Sequence, residues 1–286
     1  MAVLSEKPWC GARTATDADA GPQSRLTLGI AGIGAWTQGA PDWPSLGARL
    51  RGESGWREDA PVKPAAGMLP PGERRRAPDS VLLAAEVAGQ ACTAARREPA
   101  GLPCVFASTH GELSITDYMC ATLASAPHEL SPTKFHKSVH NAPAGYWTIA
   151  AQCTAGSSAV TGYHASFGAG LLEAAALALA DGTPVLFAAY DVASCGPLAE
   201  MTRTTRAFGA ALVLSPGGTA LPQLSIAMRD SGAPVTPAPA CVAELAKDNP
   251  LTAHALALLA ALAGAASPCL TLPAASGLML GMEIRA

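Results

Sequence analysis

The stretch from residue 159 to residue 190 constrains the fold more than any other. Ala159-Val160-Thr161 reads as a short strand and Gly162-Tyr163-His164 as a sharp turn. An alanine-rich helix follows over residues 165–180, then a wholly apolar strand over 184–190. A strand with no polar face must be covered on both sides, which requires layers of helix around a sheet. Small residues along the helix (Ala165, Gly168, Ala169, Gly170, Ala174) let other backbone approach it closely. The turn residue stands at a helix N-terminus, where aligned peptide dipoles favour negative charge and lower a thiol's pKa. That is a position for presenting a nucleophile.

The remaining chain continues the alternation. Residues 26–34 read as a buried strand running into glycine turns. Gly29, Gly32 and Gly34 suggest a dinucleotide loop, but that motif needs a helix opening directly behind it. Trp36-Thr37-Gln38-Gly39-Ala40-Pro41 is turn-like instead, so no cofactor is expected. Further helices are predicted over 42–51 (Trp43, Leu46 and Leu50 on one face), 79–97 (capped by Asp79 or Ser80), 114–125 and 249–263. Strands are predicted over 103–108, 208–215 and 277–284, with 222–229 as the hairpin partner of 208–215. Pro/Gly-rich loops cover 61–72 and 234–240, and residues 1–24 lack periodicity and read as a mobile tail.

Charged residues make up only 14% of the 286 and hydrophobic ones 49%, so much surface must be buried or packed against a partner. A net charge of −3 gives no footprint for nucleic acid. The apolar runs 171–180 and 253–266 fall short of the roughly 18 residues of a membrane span, and no signal-peptide core precedes them. Eight scattered cysteines without a CxxC pair read as reduced thiols of a cytoplasmic protein, with no metal site. His136 and His140 have helical metal spacing but no third ligand nearby, so an exposed or interface position is expected for them.

Taken in order, the motifs resemble the β-ketoacyl synthases. GIAGIGAWTQG (residues 29–39) is similar to their first strand and turn, and Glu73-Arg74-Arg75-Arg76 to the segment before their first long helix. SPTKFHKSVHNAPAGYWTIA (131–150) resembles their Asn-x-x-Ala-Gly region, and AFGAALVLSP (207–216) the strand closing their N-terminal half. The resemblance covers residues 25–229. It implies an α/β, thiolase-like layered fold with a complete N-terminal half and a truncated C-terminal half, residues 230–286.

In that family a cysteine at the strand-to-helix turn takes the acyl chain as a thioester, and two histidines of the C-terminal half assist decarboxylation and condensation. Two registers compete for this position. Cys153-Thr154-Ala155-Gly156 imitates the family's wording, but it lies 8 residues after Gly145 and 32 before Val185, with no room for the preceding strand. The gapless register places His164 there, 19 residues after Gly145 and 21 before Val185. Cys153 then becomes a core residue. An imidazole cannot carry the acyl group without an activating partner. His164 is therefore expected as a space-filling, hydrogen-bonded residue, the alternatives being a general base or an acyl-imidazole. Ser166 reads as a first-turn residue bonding backbone.

Only 57 residues follow Arg229. Within them Asn249-Pro250-Leu251-Thr252-Ala253-His254 resembles the family's Lys-Ser-x-x-Gly-His element with three residues replaced, and the second histidine's loop is missing. The resemblance therefore implies no catalytic residue. It suggests a silent, chain-length-factor-like subunit that pairs through 159–161 with a full-length ketosynthase, in a hetero- or homodimer. The pathway would be of type II polyketide or fatty-acid kind, such as aryl-polyene assembly, with an acyl-carrier protein as second partner. The competing readings are an active condensing enzyme or acyltransferase using Cys153, and an acyl-carrier-protein binding module acting through Arg74–Arg76.

Overall fold

Eight strands form one mixed sheet in the order β3-β2-β4-β5-β1-β6-β8-β7. The computed structural model describes residues 25–218, 222–230, 235–249 and 251–285; the expected tail, 1–24, lies outside them. In chain order the elements begin β1 (Arg25–Thr37), α1 (Trp43–Leu50), α2 (Pro71–Arg74), α3 (Asp79–Ala95), β2 (Cys104–Ala107) and α4 (Leu113–Ser125). Then come α5 (Pro132–Lys137), α6 (Ala142–Ala150), β3 (Ser157–Val160), α7 (Ser166–Asp181), β4 (Val185–Asp191) and α8 (Pro197–Thr202). The chain continues through β5 (Phe208–Pro216), β6 (Gln223–Asp230), α9 (Ala243–Asp248), α10 (Thr252–Leu262), β7 (Cys269–Ala275) and β8 (Leu278–Arg285). Strands β3, β2 and β4 are parallel to one another, and every other pairing is antiparallel.

The period-2 alternation of β2 and β4 sorts the core into two layers. Val105, Ala107, Phe187 and Ala189 face the layer that holds α7 and α10. Cys104, Phe106, Leu186, Ala188 and Tyr190 face the layer that holds α3 and α6. Both sides of β4 are thus covered, as its composition demands. Gly32 and Gly34, which suggest a nucleotide loop, have a packing role: a Cβ on Gly32 would stand 2.5 Å from the Ala95 nitrogen. They let α3 lie directly on β1.

Three expectations are corrected. Segment 222–229 is a strand, but its partners are β1 and β8 rather than β5. Strand β1 is 13 residues long and lies between β5 and β6, pairing on one edge with the first over residues 29–37 and on the other with the second over residues 25–29. The cap of α3 is Pro78: Asp79 instead pairs with Lys63 at 3.0 Å, and the Ser80 N–H donates to Glu112 at 2.9 Å. The last helix begins at Thr252, because Asn249 is extended and buried and its amide is used elsewhere. Strand β7 is an addition; it contains Pro273, which sheets tolerate on edge strands.

The two sheet edges differ. On β7 the Thr236 N–H donates to the Thr271 carbonyl (2.9 Å), and the Thr271 N–H donates to Thr236 Oγ1 (2.8 Å), covering that edge at Thr271. On β3 the carbonyls of Gly156 and Val160 accept from Cys104 and Ser108 N–H. By alternation the polar groups of Ser157 and Ala159 point away from β2, and both residues are exposed. No helix among the described residues is long and apolar enough to cross a membrane.

Candidate functional site

In open α/β sheets, functional groups collect beyond the carboxyl ends of parallel strands. Here those ends are Ala107 of β2, Val160 of β3 and Asp191 of β4. Beyond Val160 the chain makes a 3₁₀ turn over Tyr163–Ala165 and enters α7. Tyr163 takes the left-handed conformation (φ 53°), unusual for an aromatic residue and typical of a forced, sharp bend. Ser166 ties the bend together: its hydroxyl donates to the Tyr163 carbonyl (2.7 Å) and accepts from the Gly162 N–H (3.0 Å). It is therefore the backbone-bonding residue that the sequence predicts.

His164 sits on this elbow, at the entrance to α7. Its side chain is exposed in the single chain, and its ring lies against Tyr163 with centroids 3.9 Å apart. The expectation of a space-filling residue is thus corrected, because the elbow projects past the strand ends into solvent. Two further histidines converge here. His254 opens the first turn of α10 with Nδ1 buried and unpartnered among the described residues. Burial, and then the neighbouring His164, hold its pKa below the usual histidine value. His110, after β2, packs edge-on to Tyr163 (6.2 Å). Burial lowers its pKa, Asp191 works in the opposite direction, and His164 adds to the lowering.

Asp191 organises the floor beneath them. The carboxylate is fully buried and accepts from the Ser108 hydroxyl (2.6 Å), the Thr109 N–H (2.9 Å) and the His110 N–H (3.2 Å). Burial still raises its pKa against these donors. Asn249 Nδ2 donates to the Asp191 carbonyl (3.1 Å) and to the Arg206 carbonyl (3.0 Å), while its Oδ1 accepts from the Leu251 N–H (3.1 Å). The amide thereby anchors the chain just ahead of His254. In the resemblance this is the lysine position, and here it holds backbone. His110, Asp191 and Ser108 are the residues sequence reading passes over. Their signal is positional, since polar residues follow the last apolar residue of a buried parallel strand.

Cys153 is elsewhere. It is buried in the layer of α3 and α6, across the sheet from α7, and its thiol donates to the Leu102 carbonyl (3.4 Å) at the amino end of β2. It thus lies on the other face and at the other end of the strands from His164. Cys92 and Cys104 surround it, each pushed up to about 12 by burial and by the Cys153 sulfur. His136 is exposed on α5. His140 lies beyond that helix and donates through Nε2 to the Ser108 carbonyl (3.1 Å). No cluster that could hold a metal occurs among the described residues.

A parallel-strand crevice with a strained elbow at the mouth of an alanine-rich helix defines a protein of the thiolase-like ketosynthase fold. More particularly, residues 49–272 match the β-ketoacyl synthase N-terminal-domain family, and the chain belongs to it. No curated protein matches it. Among solved structures it is similar to a chain of a ketosynthase (ApeO) in complex with its chain length factor (ApeC) from Xenorhabdus doucetiae. The TM-score is 0.68 at 24% identity, covering 90% of this chain and 99% of that one. It also resembles a chain of AntDE:AntF, a type II polyketide acyl-carrier protein in complex with its ketosynthase (TM-score 0.68, 12% identity, 92% and 100% covered). A β-ketoacyl synthase from Burkholderia phymatum STM815 is matched over 82% of this chain and only 70% of its own (TM-score 0.56, 15% identity).

Proposed function

We propose that this chain is a catalytically silent, chain-length-factor-like subunit. It pairs with an active β-ketoacyl synthase in a cytoplasmic pathway of type II polyketide or fatty-acid kind. The observation that carries this reading is the elbow, where the residue is His164 rather than a cysteine. Condensation needs a thiolate to form and release the acyl thioester, and Cys153 is buried on the other side of the sheet. The match to chains from ketosynthase complexes, over 99% and 100% of those chains, supports this reading.

The partner surface we assign is β3 with its flanks. Besides the open edge, Ile149 of α6 and Met201 of α8 are each 80% exposed, and Leu123 and Phe135 are exposed on α4 and α5. Helix α6 packs on β3, and helix α4 packs on α5 and α8. An exposed apolar surface of this kind marks an interaction site. Arg75 and Arg76 are exposed beside α2, and Lys137 joins them through the Arg76 carbonyl (2.6 Å). This basic face suits an acidic acyl-carrier protein. Aryl-polyene assembly is the product class we favour, on the resemblance of the N-terminal motifs.

The test is to incubate the chain and a co-expressed ketosynthase with acyl-loaded carrier protein and to map thioesters by peptide mass spectrometry. Acylation is expected on the partner's cysteine and on none of this chain's. A thioester at Cys153 that disappears in Cys153→Ala would overturn the reading in favour of an active condensing enzyme.

A further inference from the structure

A cavity of about 530 Å³ opens where the start of α1 meets α3, and no residue of the histidine cluster lines it. Its volume is that of a small-molecule site. We propose that this cavity binds a small hydrophobic ammonium ion, an arylalkylamine in its protonated form. Its nitrogen sits at Asp42 and Glu86, and its body lies against Trp43, Ile33 and Met68.

Charge is the first argument. Among the described residues Asp42 and Glu86 are the only charged side chains in the lining, and neither forms an ion pair. Their bonds come from neutral donors. Glu86 accepts from the Ala66 N–H (2.6 Å) and from Gln90 Nε2 (2.9 Å). Asp42 accepts from the Ser45 N–H (2.8 Å) and hydroxyl (2.6 Å). Such bonds fix the carboxylates in place and leave both negative charges standing. Arg57 acts on Asp42 from outside the lining, but its guanidinium is bonded to Asp59, which offsets it. Arg96 and Arg97 face the next hollow along α3, where Glu98 offsets one of them. A cation therefore complements this cavity, whereas an anion would meet two like charges.

The walls decide which cation. Ile33, Trp43, Pro44, Met68 and Ala85 make the lining predominantly apolar. Asp42, Glu86 and Trp43 are half-buried, so a charge held there is less screened than at an open surface. The Trp43 ring can take either an aryl group or the cation itself on its face. An inorganic cation would use the carboxylates and leave the apolar wall wet; a hydrophobic body uses both. Gly89 keeps the space open. An interior helical glycine costs about 1 kcal/mol relative to alanine. At Gly32 backbone forbids a side chain, but at Gly89 an added Cβ would meet only Met68 Cγ, at 3.2 Å. Because Met68 is flexible, packing does not require the glycine.

The test is isothermal titration of the full chain with three probes of matched size: 2-phenylethylamine, 2-phenylethanol and 3-phenylpropanoate. Saturable binding of the ammonium ion is expected, with the alcohol and the carboxylate weaker by about tenfold or more, a difference of about 1.4 kcal/mol. Asparagine caps a helix about as well as aspartate, so Asp42→Asn removes charge and keeps the fold; it should cut the preference for the amine several-fold. Thr93 is exposed and lines the cavity, so Thr93→Lys places a tethered ammonium there and should abolish binding at an unchanged melting temperature. Equal binding of the three probes, no saturable binding of the amine, or a preference that survives both variants would overturn the proposal.

Discussion

His254 illustrates how a single imidazole couples this fold to pH. Its ring is kept toward the neutral form by burial and by His164, so its folded pKa lies below the ordinary 6.5. The unfolded chain then takes up a proton that the folded chain refuses, and stability falls as pH drops from about 6.5, with no contribution above that. His110 is lowered too and adds to the same acid limb. His254→Gln should shrink the loss of Tm between about pH 7.5 and about pH 5.5, measured by thermal melts; an undiminished loss would clear His254 of the effect. Asp191 behaves differently, because its carboxylate faces only donors. Asp191→Asn would point an amide N–H at one of them and should cost about 1–3 kcal/mol in urea unfolding. At this scale the sequence is half legible. The elbow position of His164 follows from spacing alone. The neighbourhood of His110, His254 and Asp191 does not, because the strand ends that bring them together belong to separate parts of the chain.

The elements test the same logic by their contacts. Helix α7 lies so close to β7 that a Cβ on Gly168 would collide with the Pro273 carbonyl, a backbone group that cannot move aside. Gly168→Ala should therefore destabilise by about 1–3 kcal/mol as an overpacking change, even though alanine is the better helix former. A stability gain in chemical denaturation would show that the contact relaxes freely. Strand β3 offers the opposite case. Ala159→Pro removes an N–H that faces away from β2, so a monomer should keep its fold while losing the ketosynthase partner in size-exclusion chromatography. Retained pairing would move the interface off this edge. The parallel strands and their helices were readable from apolar runs and turn residues. The β7–β8 hairpin was only half readable, since Pro273 breaks the strand pattern, and β6 was given the wrong neighbour because pairing across β1 is not a local property.

On the scale of the whole molecule, one sheet edge is bonded at Thr271 by Thr236, while the other presents exposed Ser157 and Ala159, and Leu123, Phe135, Ile149 and Met201 are exposed elsewhere on the surface. A chain built this way should be recovered in soluble form mainly when co-expressed with its ketosynthase; equal soluble yield alone would argue that the surface is tolerated bare. Strand β1 carries a further consequence, for the order in which the molecule assembles. It is the first strand described, yet its partners β5 and β6 lie 170 or more residues further along the chain. During synthesis β1 must emerge and wait, unpaired, until most of the chain has followed it. Such long-range closure slows folding and leaves a β-rich segment open to aggregation. The sheet therefore closes around an early strand only once much later segments have been made, and this chain should depend on chaperones more than its helix content suggests.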